Sequence, residues 1–191
     1  MGLDMYLDKA KRVGNVTPKD INALNEYFSW LGRGDDYKNC SMKRWCGIDR
    51  SEVPTELIAV YEPEYVKRYF ADDPEHKYGF TSIWQNVGYW RKANHIHNWF
   101  VENVQGGEDD CRSHEVTKEQ LQDLLEACRV VKNANQAIAK KLLPTAEGFF
   151  FGDTDYDEWY FKDIETTIAI IKKVLAETDF DHEIVAYVSS W

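Results

Sequence analysis

Apolar and polar residues alternate near both ends of the chain, and this alternation predicts two β-strands. Over residues 2–8, Leu3, Met5 and Leu7 alternate with polar or aromatic neighbours, and this spacing of two turns one face of a strand toward a core. Residues 183–191 are rich in β-branched and aromatic side chains, which favour strands. We expect the two segments to pair in a small antiparallel sheet that is covered by helices.

Between these strands, the apolar side chains recur every three or four residues, as in amphipathic helices. Two helix starts are well marked, because Thr17 and Thr117 each precede by three residues a side chain that completes a capping box, Asp20 and Gln120. Other helices are predicted over residues 63–70, 89–105, 134–143 and from a cap at Asp153 to about residue 177. Loops or turns are predicted at residues 32–36, Asp72-Asp73-Pro74 and Gly148–Gly152, the last as a short apolar strand or a buried turn.

These elements predict an α+β fold that is mainly helical, with the small antiparallel sheet pairing the N- and C-terminal strands. The chain has 191 residues, which fits one domain. Because no repeat, low-complexity tract or linker interrupts it, we expect a single globular domain over residues 1–191.

Composition narrows the classes of function. The formal net charge is −10, and an acidic surface repels phosphate backbones, so general nucleic-acid binding is disfavoured. Aromatic residues make up 14% of the chain, which argues for a core or a binding surface built on large rings. We find no apolar run long enough for a membrane span or a signal peptide, and we expect a cytoplasmic protein that does not bind membranes. No Cys-x-x-Cys pair occurs among the four cysteines, Cys40, Cys46, Cys111 and Cys128.

Catalytic and metal-binding patterns are not found in the sequence. Asp153–Asp157 resembles the start of a calcium loop, but Glu158 and Ile164 stand where that loop needs glycine and a bidentate glutamate. A Cys–His nucleophile built from Cys46 or Cys111 with a distant histidine is left open by the sequence alone. We therefore expect no metal and no cofactor.

The segment YWRKANHIHNWF, residues 89–100, combines aromatic, basic and histidine side chains, and its apolar spacing is helical. On a helix His95 and His97 point about 200° apart, so they cannot share a metal ion. We expect His95 to be exposed. His97 lies in the apolar stripe, either as a hydrogen-bonded core residue or as part of a pocket with Trp90 and Asn94.

The neighbouring Arg91 and Lys92 are a basic pair on an acidic chain. Aromatic rings beside them would stack a base while the two cations neutralise phosphate, or the pair is an ordinary solvated one. The predicted ligand-binding residues, which include two from the segment 148–157, are Trp90, Arg91, Lys92, Asn94, His97, Phe150 and Asp155.

Four stretches resemble a family of uncharacterised proteins encoded by phages and prophages. They are Gly2–Leu7, Tyr89–Asn94 followed by His97, Trp99 and Phe100, Leu142–Thr145 with Gly148–Gly152, and Asp155–Asp157. The stretches span most of the chain. The resemblance implies a small cytoplasmic protein made in an infected bacterium, and it supplies no catalytic residue.

The leading hypothesis is a binding protein that acts on a host component, in counter-defence or host takeover. Its partner is either a host protein, bound through the acidic surface, or a nucleotide-type small molecule, bound near residues 89–97. One alternative is an enzyme in which His97 and an acid such as Asp109 or Asp155 act as acid and base. A second alternative is a phage structural or assembly protein. The oligomeric state is left open.

Overall fold

A computed structural model of the chain describes residues 2–32, 52–69 and 83–191, without the side chains of 29–32 and 64–69. Within these ranges the chain forms two compact units, one of residues 1–12 and 86–191 and one of residues 13–85. The prediction of a single domain stays a prediction. The predicted loops at residues 33–36 and Asp72-Asp73-Pro74, and the cysteines Cys40 and Cys46, lie outside the described residues.

The α+β prediction is confirmed, and so is the pairing of the terminal strands. Strand β1 (Asp4–Lys11) runs antiparallel to β4 (Glu183–Ser190) over eight residue pairs, from Asp4 opposite Ser190 to Lys11 opposite Glu183. The sheet has the order β2-β1-β4-β3, with β2 at Gln85–Arg91 and β3 at His114–Glu115. The inward side chains Met5 and Leu7 are fully buried, as the alternation predicts.

Four helices complete the larger unit: α3 (Asn94–Asn103), α4 (Lys118–Lys132), α5 (Gln136–Leu142) and α6 (Glu158–Glu177). Their buried side chains share one core with the inner face of the sheet. In α3 the Phe100 ring stacks on Tyr187 of β4, with centroids 4.0 Å apart. Trp90 of β2 donates a 2.9 Å hydrogen bond to Thr167 of α6. No helix in the described ranges combines the length and apolar character needed to cross a bilayer.

The predicted capping box at α4 is present. The Thr117 hydroxyl accepts from the Gln120 amide N–H, and the Gln120 side chain accepts from the Thr117 N–H. Each satisfies a donor that the first helical turn leaves without a partner, a contribution of about 1 kcal/mol. The final helix begins later than predicted, because Asp157 rather than Asp153 caps it by accepting from the N–H groups of Trp159 and Tyr160.

The second unit contains α1 (Pro18–Gly32), a 3₁₀ turn (Thr55–Leu57) and α2 (Ile58–Tyr69). Thr17 and Asp20 exchange the hydrogen bonds of the predicted helix start. Ile21, Leu24 and Phe28 are buried along one face of α1, also as predicted. Helix α2 starts five residues earlier than predicted and contains Pro63 within its first two turns.

Candidate functional site

The segment that carries the predicted site residues changes structure in its middle. Tyr89, Trp90 and Arg91 belong to β2, where they alternate as exposed, buried and exposed. Lys92 then takes a left-handed conformation with φ 59°, and α3 begins only at Asn94. The predicted helix over residues 89–93 is therefore wrong. The apolar stripe has two sources, because the strand contributes Trp90 with a period of two and the helix contributes the rest.

His95 is buried, with 3% of its surface exposed, so the prediction of an exposed side chain is wrong. The first turn of α3 is buried on all sides, from Asn94 to His97, whereas its end keeps a solvent face at Glu102 and Asn103. The imidazole packs against the Tyr160 ring at a centroid distance of 4.1 Å. Its Nε2 atom has no hydrogen-bond partner among the described residues. Burial lowers the pKa of His95 to about 3, so the ring is neutral at pH 7.

This neutral histidine makes the protein sensitive to acid. The unfolded chain binds a proton at His95 with a pKa near 6.5, whereas the folded chain does so only near pH 3. Stability is therefore lost as the pH falls below about 6.5, by about 2 kcal/mol between pH 7.5 and pH 5.0. Urea unfolding at both pH values measures this loss, and His95→Leu should remove most of it. An equal loss in wild type and His95→Leu would contradict the assignment, and the exposed His182→Gln variant is the control.

His97 is 1% exposed and uses both of its ring nitrogens. Nδ1 lies 2.7 Å from the Tyr187 hydroxyl, and Nε2 lies 3.0 Å from Oδ2 of Asp109. A carboxylate only accepts, so Nε2 carries the hydrogen and donates to Asp109, while the neutral ring accepts the Tyr187 O–H at Nδ1. The contact with Asp109 is one of the two acid pairings that the sequence suggested for His97.

The side chains of Tyr187, His97 and Asp109 form a hydrogen-bonded chain whose first two members are buried. Burial lowers the pKa of His97, and the Asp109 carboxylate partly opposes this. Burial raises the pKa of Tyr187 well above 10, with a further contribution from Asp109, so the phenol stays protonated. Tyr187 is fully buried beneath Phe100. General acid–base chemistry needs a reacting group within hydrogen-bond reach, and neither residue has a ring or hydroxyl face open to a substrate.

Cys111 lies near this network and is poorly suited to act as a nucleophile. Burial raises the pKa of its thiol, and the nearby Asp109 carboxylate raises it further. The attacking species in cysteine chemistry is the thiolate, which cationic surroundings promote and carboxylates suppress. The neighbouring Ser189 hydroxyl is enclosed and has no hydrogen-bond partner of ordinary geometry in the described part of the chain.

The buried side chain of Asn94 holds the segment at residues 146–153 in place. Its side chain is 3% exposed and makes three hydrogen bonds to the segment that precedes α6. Nδ2 donates to the carbonyls of Phe151, at 3.1 Å, and Asp153, at 2.7 Å. Oδ1 accepts from the N–H of Ala146 at 3.1 Å. The amide thus fixes both ends of the turn at Gly148–Gly152, which we call the aromatic loop.

Inside the aromatic loop, two glycines and one ring fix the path of the chain. The Phe151 ring packs edge-on against His97, with centroids 5.0 Å apart. It also covers Gly148 so closely that a β-carbon there would lie 2.6 Å from the ring. Gly152 has φ +91°, which L-residues with side chains rarely adopt. Of the two structures predicted for this segment, a short apolar strand or a buried turn, the turn forms, with the Phe151 N–H donating to the Gly148 carbonyl at 3.1 Å. It is not buried, because Gly148, Phe149 and Gly152 are exposed.

Phe149 points away from this packed base and is 95% exposed. Its ring contacts Phe150 edge-on at 4.8 Å, and the Phe150 carbonyl accepts a 3.0 Å hydrogen bond from the N–H of Leu3. A large apolar ring at the tip of a held turn is available to a partner, and its burial there would be favourable. Sequence reasoning missed this residue, since three consecutive phenylalanines suggested a buried segment.

The predicted site residues separate into an inner and an outer group. Trp90, Asn94 and His97 are buried, and each donates or accepts hydrogen bonds within the protein. Arg91, Lys92, Phe150 and Asp155 lie at or near the surface. The structure brings Lys92 and Phe150 to the aromatic loop, and Asp155 follows the loop in an exposed position with its N–H donating to Asp153.

None of these residues lines the polar cavity that the larger unit contains elsewhere. That cavity, of about 360 Å³, lies near the start of α4 and the end of α6, where Arg12 pairs with Glu115 at 2.6 Å. Across residues 2–32, 52–69 and 83–191, no three His, Cys, Asp or Glu side chains are arranged to hold a metal ion. Comparison of the chain with protein families, characterised proteins and solved structures gives no match.

Proposed function

We propose that this chain is a binding protein of phage type that engages a bacterial host protein through the aromatic loop. The observation that carries the proposal is Phe149, 95% exposed at the tip of a turn that Asn94 and Leu3 hold in place. A large ring on a preorganised support loses little entropy on binding, which is the property of residues that dominate interface energies.

Two alternatives have less support. A base stacked on Phe149 would keep its other face in water, whereas small-molecule sites bury roughly 70–90% of the surface of their ligand. An acid–base enzyme would need access to His97, which is 1% exposed with both nitrogens bonded. A partner protein that supplies its own pocket for Phe149 fits the exposed ring better than either.

The phage assignment rests on the sequence resemblance, and the stretches that carry it meet at the aromatic loop. Leu3, in the first stretch, donates to Phe150 and accepts from Lys92, in the second. Asn94, also in the second, binds both ends of the loop. Two of the stretches that carry the resemblance therefore support the loop that presents Phe149, which favours binding as its function.

Capture from bacterial lysate tests this proposal. Immobilised wild-type protein should retain a host protein that Phe149→Ala fails to retain, because the anchor is lost while the fold is not. Trp159→Ala is the matched control, since Trp159 is 65% exposed on the first turn of α6. Phe149→Ala should unfold within about 0.5 kcal/mol of wild type. Equal capture by wild type and Phe149→Ala would overturn the proposal.

A further inference from the structure

Lys92 occupies an unusual position at the base of the aromatic loop. It is a non-glycine residue with φ 59°, a conformation that L-residues other than Asn and Asp seldom adopt. The backbone holds it there, since its N–H donates to the Leu3 carbonyl at 2.8 Å and its carbonyl accepts from Asn94 at 2.9 Å. A strained conformation that the surroundings maintain is often found at functional sites.

The side chain of Lys92 packs closely against two glycines, Gly2 and Gly152. A β-carbon at Gly2 would lie 3.2 Å from Cε of Lys92, and one at Gly152 would lie 3.4 Å from its Cβ. The stem therefore runs through space that both glycines leave open. Such packing restricts the stem of an otherwise flexible side chain at the base of the loop.

The charge of Lys92 is not neutralised within the described part of the chain. Its neighbour Arg91 lies 3.7 Å from Asp4, but Lys92 forms no ion pair with any residue of the described ranges. Glu147 and Asp153 border the aromatic loop and do not pair with it either. A cation that forms no ion pair within these ranges, at the base of the loop that carries the exposed Phe149, suits recognition of an anionic group by a partner.

We propose that Lys92 selects the partner of the aromatic loop, namely a protein surface on which a carboxylate borders the apolar pocket that receives Phe149. This inference rests on the proposed function. A chain with a net charge of −10 repels acidic surfaces over most of its area. A carboxylate on the partner can therefore make a favourable contact only beside an exposed cation. Lys92 thereby determines which surface binds and in which orientation, while Phe149 supplies the apolar contact.

The test uses the host protein captured by the wild type, purified, as the probe. Its Kd is measured for wild type, Lys92→Glu, Lys92→Gly and the control Lys141→Glu, which reverses an exposed charge on α5. Lys92→Glu should weaken binding at least tenfold at low salt. Lys92→Gly, in which glycine tolerates the positive φ, should weaken it several-fold and reduce its salt dependence. Lys141→Glu should bind like the wild type.

The outcomes separate the two proposals. If Phe149→Ala loses the probe while both Lys92 variants bind it like the wild type at every salt concentration, the role of Lys92 is overturned and the proposed function stands. If Phe149→Ala binds the probe as tightly as the wild type, or no host protein is captured, both fail. Restoration of Lys92→Glu binding by an acid-to-lysine change beside the probe's pocket would establish the pairing.

Discussion

Replacement of Asn94 by leucine is expected to lower the free energy of unfolding by about 3 kcal/mol. The substitution keeps a side chain of similar size in α3 but removes three hydrogen bonds at a site that is 3% exposed. The N–H of Ala146 and the carbonyls of Phe151 and Asp153 would then lack partners, and an enclosed polar group without a partner costs about 1–3 kcal/mol. Urea unfolding measures the loss.

The variant Asn94→Asp tests the hydrogen bonds that the amide donates separately from the one that it accepts. It keeps an acceptor for Ala146 but places a carboxylate oxygen against the carbonyls of Phe151 and Asp153, so at pH 7.5 we expect a loss at least as large as for leucine, with faster amide exchange in the aromatic loop. Asn133→Ala is the control, because Asn133 is exposed and its contact with Arg129 is long, at 3.5 Å. Stability of Asn94→Leu within about 0.5 kcal/mol of the wild type would show that the loop does not depend on this residue.

Replacement of His97 by leucine is expected to cost about 3–4 kcal/mol. The ring is enclosed, and its removal leaves the Tyr187 hydroxyl and the Asp109 carboxylate without their partner. Packing against Phe151 is also altered, since that ring lies 5.0 Å from the imidazole. Guanidinium unfolding of the variant at pH 7.5 gives the value.

A double-mutant cycle tests whether the network acts as one unit. Tyr187→Phe alone should cost about 1 kcal/mol or more, because it removes the donor to His97. In the His97→Leu background the same change should cost almost nothing, since the hydroxyl already lacks its partner. Additive losses in the double variant would mean that the Tyr187–His97 hydrogen bond does not stabilise the fold.

Much of the fold follows from local sequence signals. The alternation at Leu3, Met5 and Leu7 gave the buried face of β1, and Thr117 with Gln120 marked the start of α4. These predictions succeed because the signals operate within a few residues. The terminal pairing of β1 with β4 was a longer-range inference, and it is confirmed over eight residue pairs.

The candidate site was only partly predictable. Segment 89–100 combines a strand and a helix, and the left-handed Lys92 between them leaves no clear mark in an apolar pattern. His95 is buried in part because Tyr160 of α6 packs on its ring, a contact that the local pattern does not encode. Tyr187 lies 90 residues from His97, so their hydrogen bond depends on tertiary structure alone. A turn at Gly148–Gly152 was one of the two predicted structures, but the run of apolar residues did not indicate that the turn would expose Phe149.

Photo-crosslinking from position 149 tests the central claim most directly. A chain carrying p-benzoylphenylalanine in place of Phe149 is expressed in bacteria and irradiated, and the same residue at Val130, which is 41% exposed on α4, is the control. If Phe149 anchors a host protein, position 149 should give a discrete crosslinked species that Lys92→Glu weakens and position 130 lacks. A chain that crosslinks to nothing from position 149, or equally from both positions, would contradict the account.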